Sequence, residues 1–262
     1  MSLPIDLSGR RAIVTGVTQG IGAGIARRLA EAGADVAGCA TRSESDPLAR
    51  RFLADVAVHG RRGFYFPANL TEKSAPHSFA TAAAAALGGI DLVVANAGRN
   101  AFHGVTDCTE KEWAECLELD LASHWRLIQA AKKHFTAKSG VVVILISSNH
   151  AVSTLPGCFP YNVAKAGMNA LVQSLAVEWG PQVRAIGVAP GFIDTPGNDA
   201  WFATFPDAAA KRAEVEAGLP AGRIGTLEEI GALCAFLASD HARFITGTTI
   251  VVDGGHGAGM HW

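Results

Sequence analysis

The chain has 262 residues, 49% hydrophobic and 18% charged, with a formal net charge of -2 at pH 7. This is the composition of a soluble globular protein with a sizeable core. It offers no basic stripe for nucleic acid and no apolar run long enough to span a bilayer.

The N-terminal MSLPIDLSGRR lacks the apolar core of a secretory signal. Five cysteines, Cys39, Cys108, Cys116, Cys158 and Cys234, are odd in number and scattered. With no CxxC or Cys/His cluster, they predict free thiols in a reducing, cytoplasmic compartment and no structural metal.

Short apolar runs alternate with longer helical patterns. Ala12-Ile13-Val14 leads into Ile21, Ile25 and Leu29, whose recurrence every four residues marks a helix. Val36 to Cys39 is followed by Asp46 to Val58, with charged and apolar residues at helical spacing. Gly63 to Phe66 precedes the alanine-rich stretch Ala75 to Leu87, which suits helix. Leu92 to Val94 precedes a long helix predicted from Trp113 to Phe135. Val141 to Ile146 precedes another from Tyr161 to Trp179. Ala185 to Val188, a helix over Glu228 to Ala238 and the run Thr249 to Val252 complete the order.

The runs are apolar throughout, as strands buried on both faces are. The β-α alternation therefore predicts an α/β fold, a parallel sheet with helices on both faces. No linker or repeat interrupts it, so one domain over 1–262 is expected. Gly191 to Gly222 breaks the rhythm with Gly, Pro, Trp201, Phe202 and Phe205, a composition and place suited to a substrate lid.

Between the first strand and first helix stands Thr15-Gly16-Val17-Thr18-Gln19-Gly20-Ile21-Gly22. Glycines let the backbone turn tightly and approach a ligand. The helix N-terminus then offers free N–H groups and positive dipole to a pyrophosphate. The spacing Gly-x3-Gly-x-Gly differs from GxGxxG, and no Gly-Lys-Ser/Thr follows to make an NTPase phosphate loop. A tight turn needs glycine for its own sake, so the loop alone leaves both readings open. Tyr161 and Lys165, four residues apart on a helix, share a face, which a catalytic pair requires and chance also produces.

Taken together, these motifs resemble the short-chain dehydrogenase/reductase family. Its Thr-Gly-x3-Gly-x-Gly is Thr15 to Gly22, and its Asn-Asn-Ala-Gly appears as Ala95-Asn96-Ala97-Gly98. Its Ser-x12-Tyr-x3-Lys is met by Ser148, Tyr161 and Lys165. Its Pro-Gly is Pro190-Gly191, followed by Phe192-Ile193-Asp194-Thr195. Gly222 to Gly225, Phe236 to Asp240 and Val252 to Gly255 are also similar to the family. The resemblance covers most of the chain in order. It implies a single-domain, doubly wound Rossmann-type sheet of seven strands binding NAD or NADP at the strands' carboxyl ends. The implied activity interconverts a carbonyl and a secondary alcohol by hydride transfer.

Carbonyl reduction needs hydride at carbon and a proton at oxygen; the cofactor carries the first and the protein moves the second. A free tyrosine has a pKa of about 10. A lysine cation one helical turn away and an oxidised nicotinamide both favour the phenolate, so Tyr161 is the expected acid/base and Lys165 the group that lowers its pKa. The resemblance gives Lys165 a second role on the nicotinamide ribose. Ser148 is expected to hydrogen-bond the substrate oxygen, with Ser147 as the neighbour that would merely support it. The implied cofactor contacts are Thr15, Gly16, Gln19, Gly20, Ile21, Gly22, Thr41, Arg42, Asn69, Leu70, Asn96, Ala97, Gly98, Tyr161, Lys165, Pro190, Gly191, Ile193 and Thr195.

Three positions depart from the family pattern. Asp120, in Glu118-Leu119-Asp120-Leu121, stands where the family has an asparagine that helps a backbone carbonyl hold a proton-relaying water. Asp120 either shifts the active-site pKa or tunes the helix bend, and both readings stay open. Ile186 and Asn69 replace a common asparagine and a common adenine-contacting aspartate. At the end of the second strand, Ala40-Thr41-Arg42 supplies no carboxylate for a ribose hydroxyl. Thr41 and Arg42 suit a 2′-phosphate, which favours NADP over NAD, although Gln19 stands where many NADP users carry a base.

His150, Phe159, Phe192 and Trp201, with Asn100 and Phe102, are the candidate substrate contacts for a sugar, a polyol or a 3-oxoacyl thioester. The resemblance implies a homo-oligomer, commonly a tetramer through the long helices. The C-terminal Trp262 either plugs a neighbouring subunit or frays. Two rival classes remain: a non-catalytic dinucleotide-binding scaffold, and another Rossmann-like enzyme such as a methyltransferase or lyase.

Overall fold

The computed structural model describes residues 4–136 and 140–259, so Trp262 lies outside the described residues. The first half runs β1 (Arg11–Thr15), α1 (Gly20–Glu31), β2 (Asp35–Ala40), α2 (Pro47–Ala57), β3 (Gly63–Pro67), α3 (Ala75–Leu87) and β4 (Leu92–Ala95). There follow β5 (Phe102–His103), α4 (Glu110–Leu117), α5 (Ser123–Lys132), β6 (Val141–Ile146), β7 (Phe159–Pro160) and α6 (Tyr161–Trp179). The chain ends with β8 (Val183–Pro190), α7 (Pro196–Phe202), α8 (Ala208–Ala217), α9 (Leu227–Ala238) and β9 (Thr248–Val252).

Seven strands form one sheet in the order β3-β2-β1-β4-β6-β8-β9, and each neighbouring pair within it is parallel. Successive residues of a strand enter opposite layers. Ala12 and Val14 of β1 pack with Ile25 and Leu29 of α1, Phe52 of α2 and Ile230 of α9. Ile13 between them packs with Phe79 of α3, Leu127 and Ile128 of α5 and Met168 of α6. Two such layers explain why the strands read as unbroken apolar runs, and the Rossmann-type architecture inferred from the sequence is the one observed. The strand order reverses between β1 and β4, which opens a crevice at their carboxyl ends.

Helix starts follow local chemistry. Asp46 accepts from Leu48 N and Pro47 follows it, fixing the start of α2. Thr109 with Glu112, and Thr226 with Glu229, form capping boxes on α4 and α9. The single helix expected over Trp113 to Phe135 is instead broken. Glu118–Ala122 forms a π-turn between α4 and α5. The apolar period runs through this turn, so sequence patterning does not register the inserted residue. An ion pair between Glu118 and Arg126 spans it, and Ser123 Oγ donates to Leu119 O at 2.6 Å. Gly191 to Gly222 contains α7 and α8. The two-residue strands β5 and β7 pair antiparallel beside the main sheet, too short to be read from sequence.

Helices α1 and α9 cross closely because glycines face each other. A Cβ at Gly24 would lie 2.8 Å from Leu227 O, and one at Gly231 would lie 2.6 Å from Gly24 O. Both obstacles are backbone and cannot rotate away. Gly231→Ala is expected to destabilise the protein by about 1–3 kcal/mol, the usual cost of overpacking, as read from urea unfolding.

Candidate active site

Thr15 ends β1 with its side chain buried. Its Oγ1 accepts from Asn96 N and from Ala97 N, both at 2.9 Å, and Asn96 Nδ2 returns a bond to Thr15 O at 2.8 Å. These bonds knit the ends of β1 and β4 at the crevice. The glycine loop fits against them with no room for side chains. A Cβ at Gly16 would meet Asn96 Nδ2 at 2.9 Å, and one at Gly22 would meet Gly16 O at 2.3 Å. Gly20, at φ +60°, faces Thr195, whose methyl would be 3.9 Å from an added Cβ. Thr195 caps α7 by accepting from Asn198 N at 3.2 Å. The exposed Gln19 is the N-cap of α1 and makes no side-chain capping bond. Ile21 is half-buried behind the loop.

On the other wall, Tyr161 opens α6 and Lys165 follows one turn later, its ammonium buried. Lys165 Nζ donates to Ile146 O, at the end of β6, at 3.2 Å and approaches Met168 Sδ at 3.7 Å. Asp120 Oδ1 lies 3.3 Å away, outside hydrogen-bonding geometry. The same Nζ is 5.3 Å from the centre of the Tyr161 ring. Ser147 donates to Lys165 O at 3.0 Å and so joins β6 to α6. Ser148 Oγ accepts from His150 N at 3.2 Å and lies 3.4 Å from Asn149 Oδ1. Phe102 and His150 present ring edges near Tyr161, at 5.5 and 6.1 Å between ring centres.

Burial pushes the Tyr161 phenol above its ordinary value; Lys165 pulls it down, Asp120 pushes it up, and the Ser148 hydroxyl pulls it down. Lys165 favours the phenolate, and burial outweighs it. Burial likewise raises Asp120 against the pull of Lys165. For Lys165, burial disfavours the cation, but Tyr161 and Asp120 together hold its pKa above the usual value.

Two neighbours escaped the sequence reading. His124 is buried one turn beyond Asp120, with Nε2 2.6 Å from Ala97 O and Nδ1 without a hydrogen-bond partner. Burial and the Lys165 charge bring its pKa down to about 3, so it is neutral. Its spacing of four from Asp120 was the available signal. Trp113 stacks on Phe159 at 5.3 Å between ring centres, so Phe159 belongs to a pair on the β7–α4 wall.

The remaining candidates are spread around the crevice. Thr41 and Arg42 are exposed beyond β2; Arg42 Nη1 donates to Asp46 Oδ2 at 3.0 Å, and Tyr65 OH donates to Arg42 O at 2.8 Å. Asn69 is exposed in a turn, accepting from Thr71 N at 3.2 Å, whereas Leu70 is buried in the core. Gly98 and Asn100 are exposed, and Ile186 is buried within the sheet. Gly191 N donates to Val252 O at 3.0 Å, just beyond Pro190, and Ile193 is buried beside Gly225. Phe192 and Trp201 meet at 5.6 Å between ring centres. His150 Nδ1 is 3.2 Å from Thr154 Oγ1.

These residues fit a nicotinamide dinucleotide. The glycine loop brings bare backbone to the crevice, and the first turn of α1 has no side-chain cap competing for its amides. Thr195 faces that loop, while Tyr161 and Lys165 stand on the opposite wall.

Comparison with known proteins points the same way. The profile of a sequence family described as enoyl-(acyl carrier protein) reductase matches residues 16–257. The 3β-hydroxysteroid dehydrogenase 1 of Eggerthella lenta is 32% identical over 252 residues, covering 95% of this chain and 94% of its own. The 3-oxoacyl-(acyl-carrier-protein) reductase of Escherichia coli is 34% identical over 252 residues, covering 96% and 98%. A short-chain dehydrogenase from Burkholderia cenocepacia, crystallised with NADP, superposes with a TM-score of 0.85 at 30% identity, over 95% of this chain and 98% of that one.

Thr15→Val keeps the shape of the side chain but removes the acceptor for two backbone amides. It is expected to lower stability by about 1–3 kcal/mol in urea unfolding, the cost of buried donors left unpaired.

Proposed function

The chain belongs to the short-chain dehydrogenase/reductase family and is an NAD(P)-dependent oxidoreductase; from that premise we propose that it interconverts a carbonyl and a secondary alcohol, with Tyr161 carrying the proton. The observation that carries this reading is the Tyr161–Lys165 pair on the first turn of α6, with Ser148 acting on the same phenol. A bound nicotinamide supplies or accepts the hydride. In reduction, the Tyr161 hydroxyl gives its proton to the carbonyl oxygen as charge develops there. Ser148 donates to the same oxygen and stabilises that charge. Lys165 stabilises the phenolate left behind and would bond the nicotinamide ribose of a bound cofactor. The relatives' names, all dehydrogenases or reductases, weigh against a non-catalytic scaffold.

We assign NADP as the preferred cofactor. The end of β2 presents Ala40, Thr41 and Arg42 with no carboxylate of its own, so a 2′-phosphate meets a cation there. Arg42 would exchange its exposed pairing with Asp46 for the phosphate. The Burkholderia relative was crystallised with NADP.

The segment 191–222 is assigned as a substrate lid, with Phe192 and Trp201 facing a ketone or alcohol of apolar body. Trp201 is 38% and Phe102 45% exposed, which supports apolar recognition at the crevice mouth. Among the described residues no helix is long and apolar enough to cross a membrane, and all five cysteines are free. Free thiols suit a reducing compartment, and we assign the protein to the cytoplasm. Exposed Trp125 on α5 and Val163 and Val177 on α6 support a homo-oligomer, a tetramer or dimer, built on those helices.

Tyr161→Phe is expected to lower kcat by about 100-fold or more, the scale of lost acid–base catalysis, while NADPH fluorescence titration still shows binding. Undiminished turnover in this variant overturns the assignment. NADPH is expected to bind more tightly than NADH, with the difference lost in Arg42→Ala. Tighter binding of NADH would overturn the phosphate reading.

A further inference from the structure

Asp120 is fully buried, yet neither carboxylate oxygen has a hydrogen-bond partner. A buried carboxylate without hydrogen bonds is costly, and either protonation or a nearby cation offsets that cost. The Lys165 ammonium, 3.3 Å from Oδ1, is that cation. The π-turn displaces the helix register at Asp120. Gly98 leaves room for the carboxyl, since a Cβ there would lie 2.4 Å from Oδ1. Two elements are thus shaped around one carboxyl group.

When ionised, Asp120 changes what Lys165 can do. A lysine standing alone beside a tyrosine directs its charge at the phenol and favours the phenolate. Here Asp120 faces the same ammonium, and its charge offsets part of the Lys165 pull on Tyr161. The other titratable neighbours do not restore the missing positive charge. Burial and Asp120 push the Cys116 thiol up to about 11, and His124 is neutral. The Arg99 guanidinium pairs with Glu115 at 3.1 Å. Burial, with His256 nearby, brings His150 below its ordinary value, which favours its neutral form.

We propose that Asp120 is a positioning residue that holds Lys165 and keeps Tyr161 protonated, poising the site to donate a proton and hence to reduce carbonyls. This rests on the reading that Tyr161 carries the proton. The consequence has a definite sign. With Asp120 present, Tyr161 remains a competent acid further into the alkaline range, and alcohol oxidation, which needs the phenolate, begins at higher pH.

The chain has only two tyrosines, Tyr65 and Tyr161. In a Tyr65→Phe background, tyrosinate absorbance therefore reports Tyr161 alone, read in the cofactor-free protein by rapid pH jumps that outrun unfolding. Asp120→Asn, which keeps the volume and removes the charge, is expected to lower the Tyr161 midpoint by about one pH unit, the lower end of what a close like charge does. The pH profile of kcat/KM for oxidation should move down with it. An unchanged or raised midpoint overturns the inference, whatever the rates do. A lowered midpoint with an unmoved rate profile overturns the assignment of the proton to Tyr161, and with it the bias toward reduction. Asp120→Ser, whose smaller side chain admits water beside Lys165, gives the same reading if Asp120→Asn does not fold.

Discussion

The buried ammonium of Lys165 is the constraint around which the site is organised. A cation away from water must be met by acceptors and opposite charge. It finds the Ile146 carbonyl at the end of β6 and Asp120 on the π-turn. Those two contacts tie α6 to the end of β6 and to the turn that joins α4 to α5. Tyr161, one turn earlier on α6, is carried to its place by the same arrangement, and the Ser147 bond to Lys165 O closes it from below.

The second wall depends on close backbone contact. Thr15 and Asn96 join β1 to β4 at the point where the strand order reverses, and the glycine loop lies against that joint. One wall thus presents bare amides and a helix N-terminus, suited to phosphate. The other presents a phenol held neutral by burial and a lysine whose charge is shared with a carboxylate. Such a division suits a reaction in which the cofactor does the redox chemistry and the protein controls one proton.

Much of this was legible in the sequence. The strands read clearly because each is covered on both faces, and α6 was delimited from Tyr161 to Trp179 as observed. The glycine loop and the Tyr161–Lys165 spacing were legible because backbone approach and helical geometry demand particular residues at particular intervals. The π-turn was not, because inserting one residue leaves the apolar pattern continuous while rotating Asp120 toward Lys165. For the same reason the sequence left open whether Asp120 bends the helix or shifts charge; the structure puts it in the π-turn with Oδ1 3.3 Å from Lys165 Nζ. The stacking of Phe159 on Trp113 and the pairing of Arg42 with Asp46 join separate elements or a cap and a side chain. Periodicity carries no information about either.

The central claim is that the Lys165 charge pulls the Tyr161 phenol toward ionisation against a larger effect of burial. It is tested most directly by removing that charge without stranding an anion. In cofactor-free protein carrying Tyr65→Phe and Asp120→Asn, the Tyr161 midpoint would be measured with Lys165 and with Lys165→Met. The account predicts that Lys165→Met raises the midpoint. A midpoint that stays where it was, or falls, would contradict it and leave the tyrosine and lysine as residues that merely share a helix.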